Sequence, residues 1–184
     1  MAVLKVARLG NPVLRQIAQP LDLKVLSASD EEIQRLIDDM VETMREMDGV
    51  GLAAPQVFHS AQLVVMECSF NERYPDAPVI PLTVLVNPVI TKYGDEEVLG
   101  WEGCLSLNDL RGQVPRSNEI TVEYFDRKGD KMTMEAEGFQ AVVLQHEIDH
   151  LHGKVFLDRM TDLTQLTYLE EFETYFANQE AVEA

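Results

Sequence analysis

Between residues 30 and 47 the apolar side chains Ile33, Leu36, Ile37, Met40, Val41, Met44 and Met47 recur at offsets of three and four, which predicts an amphipathic helix. Ser29-Asp-Glu-Glu32 has the form of a capping box at its start, and Gly49 supplies its stop. The pattern then shortens. Gln62–Glu67 and Leu82–Asn87 are brief β-branched runs that read as strands, with Pro75, Pro78 and Pro81 in the loop between them. Ile120–Phe125 and Lys131–Glu135 alternate apolar and polar positions around Asp126–Asp130, which predicts a hairpin with Gly129 in its turn. From Phe139 the helical period returns through Val142, Val143, His146 and His150 and stops at Gly153, so both histidines fall on the inward stripe. Leu163, Leu166, Leu169, Phe172 and Phe176 predict a last helix over about residues 162–177, leaving 178–184 as a tail. There is no internal repeat and no regular β-α-β alternation. The expected fold is therefore α+β, one domain over residues 1–184, with antiparallel strands packed around the histidine-bearing helix.

Composition narrows the class without choosing a chemistry. A chain of 184 residues with 46% hydrophobic and 26% charged residues can bury one core, and it is unlike disordered, collagen-like or disulfide-scaffold sequences. Charges interrupt the apolar stretches at the N-terminus, and no run of eighteen apolar residues occurs, so neither a signal peptide nor a membrane span is expected. A net charge of −17 argues against a broad nucleic-acid footprint, and it reads as a solvated acidic surface. Cys68 and Cys104 are the only cysteines, and Cys104 lies in a segment that needs a free thiolate, so a reducing cytoplasm fits better than a disulfide.

The strongest chemical signal is His146-Glu-Ile-Asp-His150. On a helix the two imidazoles lie only about 40° apart around the axis and can reach one metal, with Glu147 between them as a base. With four histidines in the chain, chance predicts on the order of 0.01 such arrangements. Catalytic sites of this kind use three protein ligands and leave a position open, so a third ligand must come from elsewhere. His152 is too close in sequence and is turned about 200° from His150, which makes it a surface residue. Upstream, Trp101-Glu-Gly-Cys-Leu-Ser106 offers a thiolate next to a glycine, a weak signal alone and a strong one beside the helix. Gly49-Val-Gly-Leu-Ala-Ala-Pro-Gln56 matches a dinucleotide fingerprint in form, but it follows a helix where the fingerprint needs a strand. Its bland reading is a helix stop and a small-residue crossing, which leaves Gln56 without a purpose.

Taken together and in this order, Gly49–Gln56, Glu102-Gly-Cys-Leu-Ser106 and Gln145-His-Glu-Ile-Asp-His150 resemble the three motifs of peptide deformylases. The likeness extends more loosely from Gly10-Asn-Pro-Val-Leu-Arg15 to Gly153-Lys-Val-Phe-Leu-Asp158; Asn108-Asp109 departs from the Pro-Gly that many relatives carry. The resemblance implies one divalent ion on Cys104, His146 and His150, with Fe(II) favoured in the cell and Zn(II), Ni(II) or Co(II) compatible. It implies that an activated water attacks the formyl carbon, with Glu147 as general base and acid, and that the Gln56 amide and the Leu105 N–H stabilise the oxyanion. The Gly51 main chain would bind the substrate backbone, Val50, Phe139, Val142 and Val143 would wall a methionine pocket, and Arg111 would meet the substrate further along. The implied partners are N-formylmethionyl nascent peptides.

Two other readings stay open on the residues alone. One is an endoprotease with a different third ligand, and the other a non-enzymatic domain around a structural metal. From Thr161 to Ala184 the chain carries no Lys or Arg, so docking on the ribosome through a basic C-terminal helix is not expected.

Overall fold

The computed structural model describes residues 2–26, 31–69 and 78–177. The first predicted helix forms as α1 (Glu31–Glu46), and it buries Leu36, Ile37, Met40, Val41 and Met44. Each of these side chains contributes about 1.5–3 kcal/mol relative to exposure, so the apolar stripe holds α1 in place more than helix propensity does. Ser29 and Asp30 of the expected capping box lie outside the described residues, as do Pro75 and the tail 178–184.

The strands are β1 (Gly51–Ala53), β2 (Leu63–Cys68), β3 (Ile80–Tyr93), β4 (Glu97–Glu102), β5 (Leu110–Ser117), β6 (Glu119–Phe125), β7 (Lys131–Glu137) and β8 (Leu166–Tyr168). They form a five-stranded sheet in the order β1-β2-β3-β6-β7 and a three-stranded sheet in the order β4-β5-β8, with antiparallel neighbours throughout. The β6–β7 hairpin closes as expected, with Gly129 at a positive φ of 89°.

The larger sheet is covered on both faces. Leu63 and Val65 of β2 pack toward α1, while Val64 and Met66 pack toward α2 (Gly138–Leu151). That double burial explains why β2 reads as a continuous apolar run and not as an alternation. A third, smaller core joins Cys104, Leu107, Val114, Val155 and Phe156 under the second sheet.

α2 is buried at every position from Ala141 to Leu151 except Val142, yet it carries Gln145, His146, Glu147, Asp149 and His150. Five buried polar side chains on one helix need partners or a purpose. The chain ends differently from expectation. The helix predicted over about 162–177 is a 3-10 turn at Leu163–Gln165, then β8, then a short α3 (Leu169–Tyr175). Leu166 takes a strand register opposite Gly112, which a helix would forbid, and Leu163 is 68% exposed where the stripe placed it inward. Among the described residues no helix is long and apolar enough to cross a membrane.

Candidate metal centre

The first two ligand candidates follow from α2 itself. His146 and His150 stand one turn apart on its inner face, with ring centroids 5.1 Å apart. The third comes from the link between β4 and β5. The two strands pair as far as Glu102 opposite Gly112, and the chain between them turns at Cys104, an extended residue that opens a one-turn 3-10 helix, Leu105–Leu107. Gly103 lets the Arg111 guanidinium pack closely there, since a Cβ would lie 2.4 Å from it and the arginine would have to move. The result brings one donor atom each from Cys104, His146 and His150 within 4.8 Å of one another, all three side chains buried.

The donor set fits a divalent ion. The Cys104 sulfur lies 3.3 Å from His150 Nε2. Tetrahedral bonds of about 2.3 Å to sulfur and about 2.1 Å to nitrogen would put such donors about 3.6 Å apart. Burial pushes the Cys104 thiol up, but His150 and His146 outweigh it and hold the group well below the ordinary thiol range. Burial likewise pulls His146 down, while Cys104 and Glu102 more than reverse this. Such a thiolate among imidazoles is the charge pattern that a cation in place of the ring protons would satisfy. His150 Nδ1 is buried with no hydrogen-bond partner.

Sequence reasoning passed over the groups behind the ligands. His146 Nδ1 meets Glu102 at 2.7 Å, which fixes the ring and leaves Nε2 for the centre. Arg116, only 4% exposed, donates to both oxygens of Glu102 at 2.7 and 3.1 Å and to Asp149 at 2.6 Å. Asp149 is also held by Arg159 at 2.5 and 2.9 Å. Glu102 and Asp149 both lie inside the quoted motifs, and a metal-bound histidine's need for a carboxylate behind it was the available signal.

Glu147 stands in the opposite situation. Its Oε2 is buried with no hydrogen-bond partner, and burial pushes its carboxyl up against the pull of His146 and His150. Gly51 lies directly against it, since a Cβ there would come within 2.5 Å of Glu147 Oε1. Gln56 arrives in a 3-10 turn, Ala54–Val57, after β1. Its Oε1 accepts from the Ala53 N–H at 2.8 Å, which aims the NH₂ at Cys104 Sγ (3.5 Å) and Ser106 Oγ (3.2 Å). The N-terminal arm ties both segments down, with Ala7 N–H donating to the Gln56 carbonyl at 2.7 Å and Leu9 N–H to that of Ser106 at 3.0 Å. Leu105 is the first residue of its 3-10 turn, so its N–H has no acceptor within that turn.

Beside these groups lies a cavity of about 160 Å³ lined by Val50, Trp101, Phe139, Val142, Val143 and Glu147, among others. All four expected pocket walls share it. Arg111 stands apart from that lining: it is buried on β5, donates to the Leu110 carbonyl at 2.8 Å and packs on Gly103.

Comparison with known proteins agrees with this geometry. The polypeptide deformylase family model matches residues 3–166. Peptide deformylase 1 of Bordetella pertussis is 47% identical over 165 residues, covering 90% of this chain and 92% of the relative. The peptide deformylase of Leptospira biflexa is 41% identical over 175 residues, covering 95% and 97%. A Met-Ala-Ser-bound class I type b peptide deformylase from Acinetobacter baumannii superposes with a TM-score of 0.83 at 42% identity, covering 86% of this chain and 99% of that one. The chain thus belongs to the peptide deformylase family, metal-dependent hydrolases that remove the N-formyl group from nascent peptides.

Proposed function

We propose that Cys104, His146 and His150 hold one divalent ion and that Glu147 carries the protons while the formyl group leaves an N-terminal methionine. The observation that carries this reading is the unpartnered Glu147 oxygen beside three converging donors and an apolar cavity. When bound, the ion supplies Lewis-acid polarisation of the formyl carbonyl and acidifies water toward a pKa of about 7. Glu147, with its carboxyl raised by burial, can take a proton from water and return it to the departing amine. The Gln56 NH₂ and the Leu105 N–H are the donors for the developing oxyanion; Gln56 is pre-aimed by Ala53, so no reorganisation is needed as charge forms.

The substrate's main chain would lie along β1, the edge of the larger sheet, at Gly51. Its methionine would enter the cavity walled by Val50, Phe139, Val142 and Val143. Arg111, behind Gly103, is the candidate for contact with residues further along the peptide. The soft donor set accommodates Fe(II), Zn(II), Ni(II) and Co(II), and we assign Fe(II) in the cell. The place of work is the cytoplasm, where nascent chains are met and a buried thiolate stays reduced. α3 opens with Glu170 and Glu171 and has no basic residue in its last turn, so it should not dock on ribosomal RNA.

The test is formate release from formyl-Met-Ala-Ser by anaerobic Fe(II)-loaded or Ni(II)-loaded protein. Loss of formate in Cys104→Ala, with activity kept in Cys68→Ala, is expected; equal effects at the two cysteines would show the ligand set to be wrong.

A further inference from the structure

Ser106 lies in the 3-10 turn that follows Cys104 and is only 1% exposed. A hydroxyl buried so deeply needs a partner, and the one it has is the Gln56 amide, whose Nε2 stands 3.2 Å from Ser106 Oγ. A third group fixes the direction of that hydrogen bond. The Ala53 N–H can only donate, so the Gln56 atom 2.8 Å from it is the oxygen, and the NH₂ faces the other way. An amide NH₂ does not accept, so Ser106 Oγ must be the acceptor. The second acceptor on the same nitrogen is Cys104 Sγ at 3.5 Å. One N–H of Gln56 is therefore turned toward one of the three converging donors, and the other is turned away from them to Ser106. Both ends of the contact are anchored through their backbones, the Gln56 carbonyl by the Ala7 N–H and the Ser106 carbonyl by the Leu9 N–H.

We propose that Ser106 is a positioning residue: its Oγ holds one N–H of the Gln56 amide and leaves the other, beside Cys104, to donate to the developing oxyanion. This rests on reading Gln56 as an oxyanion donor. The terminal torsion of a glutamine is broad, so the single hydrogen bond from Ala53 sets the amide plane loosely, and the second one, to Ser106, sets it firmly. A donor aimed in advance needs no reorganisation as charge forms, so loss of its aim is felt in the chemical step and not in ground-state binding.

The test is a double-mutant cycle on Ni(II)-loaded protein with formyl-Met-Ala-Ser. Ser106→Ala should lower kcat about 10-fold with KM within about 2-fold, whereas in a Gln56→Ala background the same substitution should change kcat by less than about 2-fold. An equal loss in both backgrounds would mean that Ser106 acts without Gln56, and no loss in the wild-type background would mean that it positions nothing; either overturns the proposal. Gln56→Ala alone should cost about 10²-fold or more, as loss of one oxyanion donor does. If it leaves kcat unchanged, the reading of Gln56 itself fails and this proposal falls with it. Proton NMR of unaltered Zn(II)-loaded protein reads the same geometry without turnover and without any variant having to fold. Formate added with Met-Ala-Ser should move one Gln56 NH₂ proton resonance and leave the other in place, the one with nuclear Overhauser contacts to Ser106 Hβ. Movement of the Ser106-facing proton alone, of both protons equally, or of neither would sink the idea.

Discussion

Glu147 and Asp149 lie two residues apart on α2, both buried, and their surroundings are opposite. Asp149 points to the back of the helix. Burial pushes its carboxyl up, but hydrogen bonds from Arg159 and Arg116 outweigh this and hold it below its ordinary range. Glu147 points to the front, where no guanidinium of the described residues reaches it and burial leaves its carboxyl raised. The back acid is a fixed charge in a chain of ion pairs that runs Arg159–Asp149–Arg116–Glu102–His146 and ends on one of the three converging donors. The front acid keeps an oxygen uncommitted. Under the proposed function one helix thus separates holding the centre from moving its protons, and the two faces can be broken independently.

Removing Arg116 should have the largest effect. Arg116→Ala leaves Glu102 and Asp149 buried with their shared partner gone, and breaking a buried pair in this way costs about 3–5 kcal/mol. The urea midpoint of the metal-loaded variant should fall accordingly. An unchanged midpoint would mean that the back network carries no structural weight.

Glu147→Gln should do the reverse. It keeps all three proposed ligands and removes the proposed proton carrier, so kcat should fall by about 10²-fold or more with metal content and folding stability unchanged. Near-normal turnover with metal retained would remove Glu147 from its assigned role. Between the two lies Glu102→Gln, which weakens the support behind His146. Metal affinity should drop by about 10- to 100-fold, read as faster loss to a chelator.

The front face was legible in the sequence and the back face was not. His146, Glu147 and His150 sit on one local period, and Cys104 and Gln56 stand in short motifs, so resemblance could name them before any fold existed. Glu102 and Arg116 are fourteen positions apart and meet only because β4 and β5 pair, with Glu102 opposite Gly112 and Val98 opposite Arg116. Those strands were missed for a physical reason: Gly100, Arg111, Gly112, Pro115 and Arg116 interrupt the apolar alternation that marks a strand. At the C-terminus the error ran the other way. Leu163, Leu166 and Leu169 keep a helical spacing of three, yet Leu166 pairs with Gly112 because β5 offers it an unpaired edge, and tertiary pairing overrides local period there. α1 was placed nearly to the residue because it buries an inward stripe that long-range pairing does not rearrange; α2, although buried almost all round, was placed by its helical spacing from Phe139 and the stop at Gly153.

Asp158 carries the comparison to the protein surface and gives the smallest effect. Burial pushes its carboxyl up, but the Val155 N–H at 2.8 Å and the neighbouring Arg15 guanidinium more than offset this, leaving it below its ordinary value of 3.8. Like Asp149 it is an aspartate held by arginine, but its side chain is 35% exposed and that of Arg15 47%. Solvent screens such a pair, so Asp158→Asn should cost no more than about 1 kcal/mol near neutral pH, far below the loss expected for Arg116→Ala. The sign of the pH dependence is fixed by the direction of the shift. A carboxyl lowered in the folded state stabilises the fold above its unfolded pKa, and that contribution disappears as pH falls through the folded one. The gap in urea midpoint between wild type and Asp158→Asn should therefore hold between about pH 6 and 8 and close as pH drops below about 4. Asparagine can still accept from the Val155 N–H, so the part that closes measures the charge facing Arg15. A gap that persists undiminished at low pH would assign the effect to packing of the Phe156–Asp158 turn.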